Sequence, residues 1–421
     1  MKPATPDKTQ PGFFYGYIIV LAAFVIMTIS FGTLFSFGVF FKPMLDEFGW
    51  SRAFTSGAFS LCVVVYGFTG IISGRLSDRY GPRLIMTVSG LFLGAGYLLM
   101  SRVGAAWQLY LIYGLVIGIG MSGSWAPMVS LVARWFVKYR GLTTGLVASG
   151  SGLGVLIVPI VVERLIAHYD WRQAYFMLGL AAQGLFVLAA QFLKRDPAQL
   201  GLKPYGAGAV AAAGPRPGAA DFSLEQASRT RQFWTLCFMY FCFAFALHTI
   251  MVHIVPHALG IGFSPGQAAS ILAAIGWLNF VSRIIMGSLT DRIGGKPSFI
   301  IGFILLSGGL IWLLWARQLW MLYLFAAVFG FAYGNLATIQ SLVAAELFGL
   351  TALGAIVGSF AFSYTLGGAA GPFTAGAVFD ATGSYQVAFV VCIVLSLVGL
   401  VLACRMRPPA PIPGGHLLGR R

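Results

Sequence analysis

Charge is what this sequence has least of. Only 9% of its 421 residues are Asp, Glu, Lys or Arg, whereas 58% are hydrophobic. A soluble domain carries roughly 25% charged residues, which it needs to cover its water-facing surface. A chain with so few cannot present such a surface to water on all sides. The composition therefore excludes an ordinary soluble domain and indicates that lipid is the main solvent.

Cysteine is also scarce, and patterns of metal ligands or catalytic groups are missing. The five cysteines, all inside or at the edge of apolar stretches, are Cys62, Cys237, Cys242, Cys392 and Cys404. An odd set in such surroundings is typical of small apolar residues rather than of a disulfide framework. No acid, base and ligand constellation suggests an enzyme. We therefore expect no catalytic residue, no metal site and no bound cofactor.

Long apolar runs are abundant. A membrane-spanning helix needs about 20 largely apolar residues, and twelve stretches meet that requirement. They cover residues 16–41, 53–73, 83–101, 107–133, 143–166, 171–193, 232–258, 266–288, 297–316, 320–345, 350–375 and 384–404. The sequence predicts an all-α membrane protein with twelve transmembrane helices.

The distribution of positive charge predicts the orientation of these helices. The net charge is +15, from 27 Lys and Arg against 12 acidic residues. With both termini placed in the cytoplasm, twenty of the 27 fall on the cytoplasmic side, six on the other side and one, Arg283, within a helix. Cytoplasmic loops of membrane proteins are enriched in Lys and Arg. The basic balance therefore indicates topology with both termini cytoplasmic, and not a nucleic-acid surface.

One long polar stretch, residues 194–231, divides the chain into halves of six helices each. Its small residues and prolines are typical of a flexible cytoplasmic linker. We predict a first six-helix bundle over residues 1–193 and a second bundle with a tail over residues 232–421. Internal repeats of this size are typical of transporters built from two related halves.

A loop motif occurs once in each half. The stretches Gly74–Gly81 and Gly287–Gly294 both have the form G-x-x-x-D-R-x-G, 213 positions apart (287 minus 74). Glycine allows close helix approach, and an aspartate at a helix end can pair with a dipole or with an arginine across the bundle. We predict a conformational latch formed by Gly74, Asp78, Arg79, Gly287, Asp291 and Arg292. The alternative is an ordinary charge pair at a helix end, without a role in conformational change.

With these motifs the chain resembles the major facilitator superfamily over nearly its whole length. Trp135–Gly150, at the entry to helix 5, also resembles the corresponding motif of the monocarboxylate transporters. The stretch Phe48–Ala53 is similar to that group and to the oxalate/formate antiporters, and Asp196–Pro204 resembles bacterial members. The resemblance implies a carrier of small carboxylates such as lactate, pyruvate or formate, in two pseudo-symmetric bundles.

Arg283 is the sharpest functional candidate. It lies in the middle of predicted helix 8, where a charged side chain costs about 2.5–3.5 kcal/mol. Every Asp and Glu falls in a loop or near a helix end, so no carboxylate at membrane depth is available for a structural ion pair. A guanidinium fits a carboxylate with two parallel hydrogen bonds. We therefore expect Arg283 to bind a transported anion.

This sequence differs from the related transporters at a position that concerns proton coupling. Monocarboxylate transporters typically carry Asp four residues before the helix 8 arginine, and Asn279 stands there in this chain. Asn279 can bind substrate or hold the guanidinium, but it cannot carry a proton. Helix 7 contains His248, His253 and His257. We predict that His253 is a substrate ligand and that His253 and Arg283 take part in proton coupling.

Hydroxyl groups of helices 10 and 11 complete the expected site. Oxalate/formate antiporters carry a lysine in helix 11, where Tyr364 stands in this chain, and its loss favours a monovalent anion. Tyr364, its neighbour Ser363 and Tyr333 of helix 10 are candidate hydrogen-bond donors to that anion. Packing of aromatic rings in a glycine-rich bundle is an equally good explanation of the tyrosines.

The sequence thus predicts a secondary transporter of small, lactate- or pyruvate-like monocarboxylates, working by alternating access as a proton symporter in the bacterial inner membrane. The expected partners are a carboxylate anion, the bilayer and a coupling proton, and the expected functional unit is a monomer. The alternatives left open are an oxalate/formate-like anion exchanger and an antiporter of drugs or other solutes. A membrane enzyme or sensor is the rival from another class.

Overall fold

The computed structural model describes residues 14–206, 222–349 and 352–406, which form helices and connecting turns. Twelve helices are long and apolar enough to cross a membrane, which confirms the number predicted from hydropathy. They are α1 Gly16–Phe48, α2 Arg52–Tyr80, α3 Pro82–Met100, α4 Ala106–Trp135, α5 Arg140–His168, α6 Trp171–Gln191, α7 Arg231–Gly260, α8 Pro265–Ile293, α9 Gly295–Leu313, α10 Leu319–Thr338, α11 Leu353–Thr382 and α12 Gln386–Arg405.

Several helices differ from the apolar stretches that predicted them. α2 continues to Tyr80, seven residues past the predicted end, because helical hydrogen bonding persists through the polar loop motif until Gly81. α1 consists of two helices, Gly16–Phe35 and Phe37–Phe48, which meet at Ser36. The stretch predicted as helix 10 ends at Thr338, and a separate helix, Gln340–Phe348, follows it.

Equivalent caps and prolines recur between the halves at an offset of 213 residues, as in the loop motif. Ser51 and Ser264 cap α2 and α8 by accepting a hydrogen bond from a backbone N–H of the first turn. Gly81 and Gly294 end these helices with φ of 89° and 85°, a conformation that suits glycine. Prolines within helices follow the same offset: Pro43 and Pro256, and Pro159 and Pro372. The fold is therefore pseudo-symmetric.

Contacts between the halves join α5 to α8, α2 to α11 and the end of α1 to α7. Small residues permit the closest approach, as a Cβ on Gly152 of α5 would lie 2.6 Å from the backbone N of Phe280. A Cβ on Gly276 of α8 would lie 2.5 Å from the backbone N of Leu156. The glycine-rich stretches therefore serve close packing, although Gly145, at the start of one, has open space around it.

The two ends of the molecule are packed differently. We call the face at which α1 begins the inner face and the opposite one the outer face. Near the outer face, α2 and α11 touch, since a Cβ on Gly376 would lie 2.8 Å from Ala53. Near the inner face, Gly74 of α2 and Gly358 of α11 have no described atom within 4 Å of a Cβ position. The helices are closed outside and splayed inside.

This splaying differs from the expectation that Gly74 brings two helices together. Because the inner ends of α2 and α11 are apart, Gly74 has no close neighbour in this conformation. Its counterpart Gly287 lies outside the described side chains.

The motif at the entry to α5 has a structural role at the inner face. Rings of Trp135 and Phe136 pack on Phe14 at centroid distances of 5.9 and 5.5 Å. The backbone N–H of Tyr205 donates to the carbonyl oxygen of Trp135 at 2.9 Å. The start of the stretch predicted as a flexible linker is therefore packed against the bundle, because backbone pairing and aromatic burial hold residues 194–206.

Candidate functional site: a central cavity

A cavity of about 200 Å³ lies between the halves and opens toward the inner face. Helices of both halves contribute to its walls, which are mainly apolar and aromatic. The polar and aromatic lining residues include Phe31, Tyr66, Ser122, Trp125, Tyr240, Phe243, His248, Arg283, Tyr333, Gln340, Tyr364 and Thr365. An apolar cavity with a few converging polar groups is the usual form of a small-molecule site.

An interruption of α4 shapes one wall. Tyr110–Ile117 is π-helical, and the helix is interrupted from Ser122 to Trp125 before it resumes at Ala126. Irregular backbone at membrane depth is tolerated where it lines a cavity, and Ser122 and Trp125 do line this one. The interruption therefore coincides with the place where the indole of Trp125 lines the cavity.

Arg283 of α8 supplies the positive charge of the cavity. Its side chain is only 2% exposed, and its Nε donates to Oδ1 of Asn279 at 3.1 Å. Its Cζ lies 5.3 Å from the ring centre of Trp125 and 5.6 Å from that of Tyr333. Among the described residues, no carboxylate lies within 4.0 Å of the guanidinium. The guanidinium is thus oriented by an amide and aromatic rings, and no acidic side chain in the described part of the chain neutralises its charge.

The other predicted ligands fall into two groups. Tyr333 and Tyr364 line the cavity. Asn279 lies behind the cavity surface, fully buried, where it orients Arg283. The Ser363 hydroxyl donates to the carbonyl oxygen of Ser359 in its own helix at 3.3 Å, and Ser363 is not a lining residue.

His253 lies in a different place, in a cluster near the outer face that we call the outer seal: Arg52, Ser56, His253, Pro372, Asp380 and Tyr385. Asp380 of α11 accepts hydrogen bonds from the backbone N–H groups of Arg52 and Ala53, at 2.9 and 2.7 Å. A carboxylate of the second half therefore caps the N-terminus of α2 in the first half. Arg52 also donates from Nη1 to the Tyr385 hydroxyl at 2.5 Å.

The outer seal provides hydrogen-bond partners for both ring nitrogens of His253. Its Nε2 lies 2.9 Å from the Pro372 carbonyl oxygen, which can only accept, so Nε2 carries a proton. Its Nδ1 lies 3.1 Å from the Tyr385 hydroxyl. Burial raises the pKa of Tyr385 to about 12, so this hydroxyl keeps its proton and can donate it to Nδ1. Both ring nitrogens of His253 therefore have hydrogen-bond partners, and His253 is not a lining residue of the cavity in this conformation.

Sequence reasoning missed several residues of both regions. It did not single out Trp125 or Phe243 of the cavity, because aromatic residues are common throughout this chain. It placed His248 off the face of α7 that His253 and His257 share, whereas His248 lines the cavity. For the outer seal, Arg52 lay within the quoted motif Phe48–Ala53, but no signal joined it to a residue 328 positions away.

Asp78 in the first loop motif pairs with Arg134 at the end of α4, at 2.5 Å. Arg79 lies instead over the ring of Tyr80, its Cζ 5.2 Å from the ring centre. The counterparts in the second motif, Asp291 and Arg292, lie outside the described side chains. The described part of the predicted latch is thus an ion pair across one half of the protein.

Twelve membrane-spanning helices around a central cavity that is sealed on one side define a membrane transporter. The chain belongs to the Major Facilitator Superfamily, which it matches over residues 21–276 and again over residues 236–419. This membership confirms a secondary transporter, and not an enzyme.

Comparison with individual proteins narrows the relationship. The chain is 29% identical to monocarboxylate transporter 13 of Bos taurus over 91% of this chain and 88% of the relative. It is 26% identical to monocarboxylate transporter 12 of Homo sapiens, over 90% and 78% of the two chains. It is also 26% identical to monocarboxylate transporter 4 of Rattus norvegicus, over 89% and 79%.

A solved structure has the same fold. It is a bacterial homologue of the human lysosomal transporter Spinster, described as inward-facing and occupied, with a TM-score of 0.68 over 94% of this chain and 96% of that chain. The two sequences are 15% identical, so this similarity establishes the fold alone.

Proposed function

We propose that this transporter carries monocarboxylate anions, of which lactate and pyruvate are small examples, by alternating access of the central cavity to the two faces. The observation that carries the proposal is the buried guanidinium of Arg283, which lines the cavity without a carboxylate within 4.0 Å among the described residues. A carboxylate of the substrate can take up its remaining donors in pairs. The names of the relatives support the same substrate class.

A single cation favours a substrate with one negative charge. Among the described lining residues, Arg283 is the one Lys or Arg, and helix 11 presents Tyr364 rather than a second cation. A dicarboxylate would leave one charge without a counterion in an apolar cavity, which costs several kcal/mol. The site therefore favours a monocarboxylate over the substrates of an oxalate-like exchanger.

We propose that a proton crosses with each anion and that a monomer in the bacterial inner membrane is the working unit. Binding of the anion neutralises Arg283, and neutralisation lowers the cost of enclosing the site in an apolar environment. Rocking of residues 1–193 against residues 232–421, joined by the linker 194–231, would then expose the site on the other face. The proton can travel on an imidazole of α7, such as His253, or with the substrate.

Uptake of radiolabelled L-lactate and other monocarboxylates into proteoliposomes tests this proposal. We expect uptake that rises with an inward proton gradient, is absent in Arg283→Ala and is not inhibited by lactamide, which lacks the charge. Arg317→Ala, at an exposed loop position, is the matched control and should retain full uptake. Full uptake by Arg283→Ala, or equal inhibition by lactamide, would refute the proposal. If the proton gradient did not stimulate uptake, the proton coupling alone would be refuted.

A further inference from the structure

The cavity has two polar poles, and one aromatic wall joins them through the second half of the protein. It begins with the ring of Tyr333, 5.6 Å from the Cζ of Arg283. Tyr333 contacts Phe243 at a centroid distance of 6.3 Å, and Phe243 contacts Tyr364 at 5.9 Å. Tyr364 meets the imidazole of His248 edge-on at 5.4 Å. Aromatic rings thus lead without a break from the guanidinium to an imidazole.

A second aromatic wall joins the same two poles through the first half. The ring of Trp125 lies 5.3 Å from the Cζ of Arg283 and 5.8 Å from the ring of Phe31. Phe31 contacts Phe35 at 6.3 Å, and Phe35 contacts His248 at 5.7 Å. The two walls form a closed circuit of ring contacts between a cation at one pole and an imidazole at the other, in which Phe35 lies behind the cavity surface.

The imidazole at the second pole has an unused nitrogen. Nδ1 of His248 lies 3.0 Å from the carbonyl oxygen of Ala244, which can only accept, so Nδ1 carries a proton. Nε2 has no hydrogen-bond partner among the described residues, although His248 lines the cavity. Neutral His248 therefore offers a lone pair on Nε2 for a hydrogen-bond donor. The groups packed around the ring are Phe35, Phe59, Tyr364 and the backbone at Gly368, and none of them is charged.

The size of the cavity exceeds what the smallest monocarboxylates fill. Its volume of about 200 Å³ corresponds to the room for roughly seven water molecules, at about 30 Å³ each. Lactate, with about six non-hydrogen atoms, would leave part of that room to water beside aromatic walls. Ring faces and edges attract other rings beyond the area they bury. The walls and the volume fit a substrate with an aromatic ring of its own.

We propose that the preferred substrates are aryl monocarboxylates whose carboxylate binds Arg283, whose ring lies between the two aromatic walls, and whose ring hydroxyl, where present, donates to Nε2 of His248. This inference rests on the proposed function and names the substrate class within it. Pyruvate- and lactate-sized acids are then poor ligands that share only the carboxylate contact.

Calorimetric binding of three acids with one head group tests the inference on the purified full-length transporter: L-lactate, L-3-phenyllactate and L-3-(4-hydroxyphenyl)lactate. We expect phenyllactate to bind at least tenfold more tightly than lactate, and the hydroxyl to add a further gain of about three- to tenfold. 3-Cyclohexyllactate controls for apolar bulk and should bind less tightly than phenyllactate. Phenyllactamide controls for partition into detergent and should not bind.

Ratios of affinity within one variant separate ligand contacts from damage to the fold. His248→Phe should remove the gain from the hydroxyl while phenyllactate still binds, whereas the matched control His257→Phe should keep that gain. Trp125→Leu should reduce the preference for phenyllactate over lactate. Thermal unfolding of each variant verifies that it is folded.

The outcomes distinguish the inference from the function on which it rests. Lactate binding as tightly as phenyllactate, or cyclohexyllactate equal to phenyllactate, would overturn the aryl class and leave monocarboxylate transport intact. A hydroxyl gain that survives His248→Phe would overturn the role of His248. Binding of phenyllactate that is unchanged in Arg283→Ala, or binding of no acid at all, would overturn the proposed function as well.

Discussion

The central cavity and the outer seal each contain a buried or half-buried arginine and a histidine of α7. Their polar groups differ in how completely they are hydrogen-bonded. In the outer seal, the hydroxyl of Tyr385 and both nitrogens of His253 are within hydrogen-bond distance of partners, and Asp380 caps α2. In the cavity, the guanidinium of Arg283 is hydrogen-bonded to the Asn279 amide and lies against aromatic rings, and it has no carboxylate partner among the described residues.

That difference separates closure from binding. Buried polar groups with complete hydrogen bonding stabilise one packing arrangement, whereas incomplete ones impose a cost until a partner arrives. The outer seal is therefore a contact between the halves in this conformation, and the cavity is the place where a ligand gains most. Four substitutions test this comparison.

The largest effect is expected from Arg283→Lys. Lysine keeps the charge but loses the planar pair of donors, and hydrogen bonds to charged groups contribute about 1.5–3 kcal/mol each. We expect the affinity for a monocarboxylate to fall about 10- to 100-fold, measured by calorimetry. Arg52→Lys in the outer seal should change that affinity by less than about threefold. An equal loss of affinity in both variants would show that the two arginines do not differ in their role in binding.

The next effect is expected from Asp380→Ala, which removes the cap of α2. A lost N-cap costs about 1 kcal/mol, or about fivefold in an equilibrium. We expect the closed outer seal to be populated about fivefold less. Labelling of Ser56→Cys by a membrane-impermeant maleimide should accelerate by that factor in intact cells expressing a variant without the five native cysteines.

Two controls accompany this measurement. Asp380→Asn keeps an amide oxygen that can cap a helix, so its labelling rate should fall between those of the parent and Asp380→Ala. Asp46→Asn changes an exposed acid of the same face, which among the described residues forms an ion pair with Lys42, and should have no effect. Equal labelling of all variants would show that Asp380 does not hold the outer face closed.

His253→Gln should separate the two histidines. Because His253 lies in the outer seal and does not line the cavity, we expect monocarboxylate affinity to stay within about twofold, since no substrate contact is removed. The labelling rate of Ser56→Cys should rise about two- to fivefold, because a buried hydrogen bond contributes about 0.5–1.5 kcal/mol. A tenfold loss of affinity with unchanged labelling would show that His253 belongs to the binding site.

The smallest effect is expected from Asp78→Asn at the inner face. The side chains of Asp78 and Arg134 are 58% and 34% exposed, and exposed ion pairs contribute about 0–1 kcal/mol. We expect uptake to change by no more than about twofold, with the difference vanishing at high salt. A loss comparable to that of Asp380→Ala would mean that this pair is part of a latch stronger than its exposure implies.

The sequence predicted the parts of this protein that depend on local composition. Twelve apolar stretches gave twelve helices, and the motif repeated at 213 positions is matched by repeated caps and prolines in the structure. Arg283 was recognised because a lone cation in an apolar helix is costly wherever that helix packs. Tyr364 was a candidate because it stands where the oxalate/formate antiporters carry a lysine, and Tyr333 was a candidate hydroxyl donor of helix 10.

Local patterns could not give the neighbours that these helices bring together. His253 and His248 are both histidines of one apolar helix, and hydropathy treats them alike. Ser363 and Tyr364 are adjacent, so the sequence predicted both as ligands, whereas in the structure Tyr364 lines the cavity and Ser363 does not. The interruption of α4 at Ser122–Trp125 turned an unremarked indole toward the guanidinium.

The sequence by itself determined the solvent of this protein, the number of its spans, its internal repeat and the one charge buried at membrane depth, because burial of apolar groups and the cost of charge in lipid depend on residue type. Tertiary structure alone decided which polar groups are satisfied. Asp380 reaches α2 across 328 positions, and Gly368 lets α11 approach the imidazole of His248. Hydrogen bonds are short and directional, so only the packed arrangement of the helices determines which of these groups have partners and which face the cavity without one.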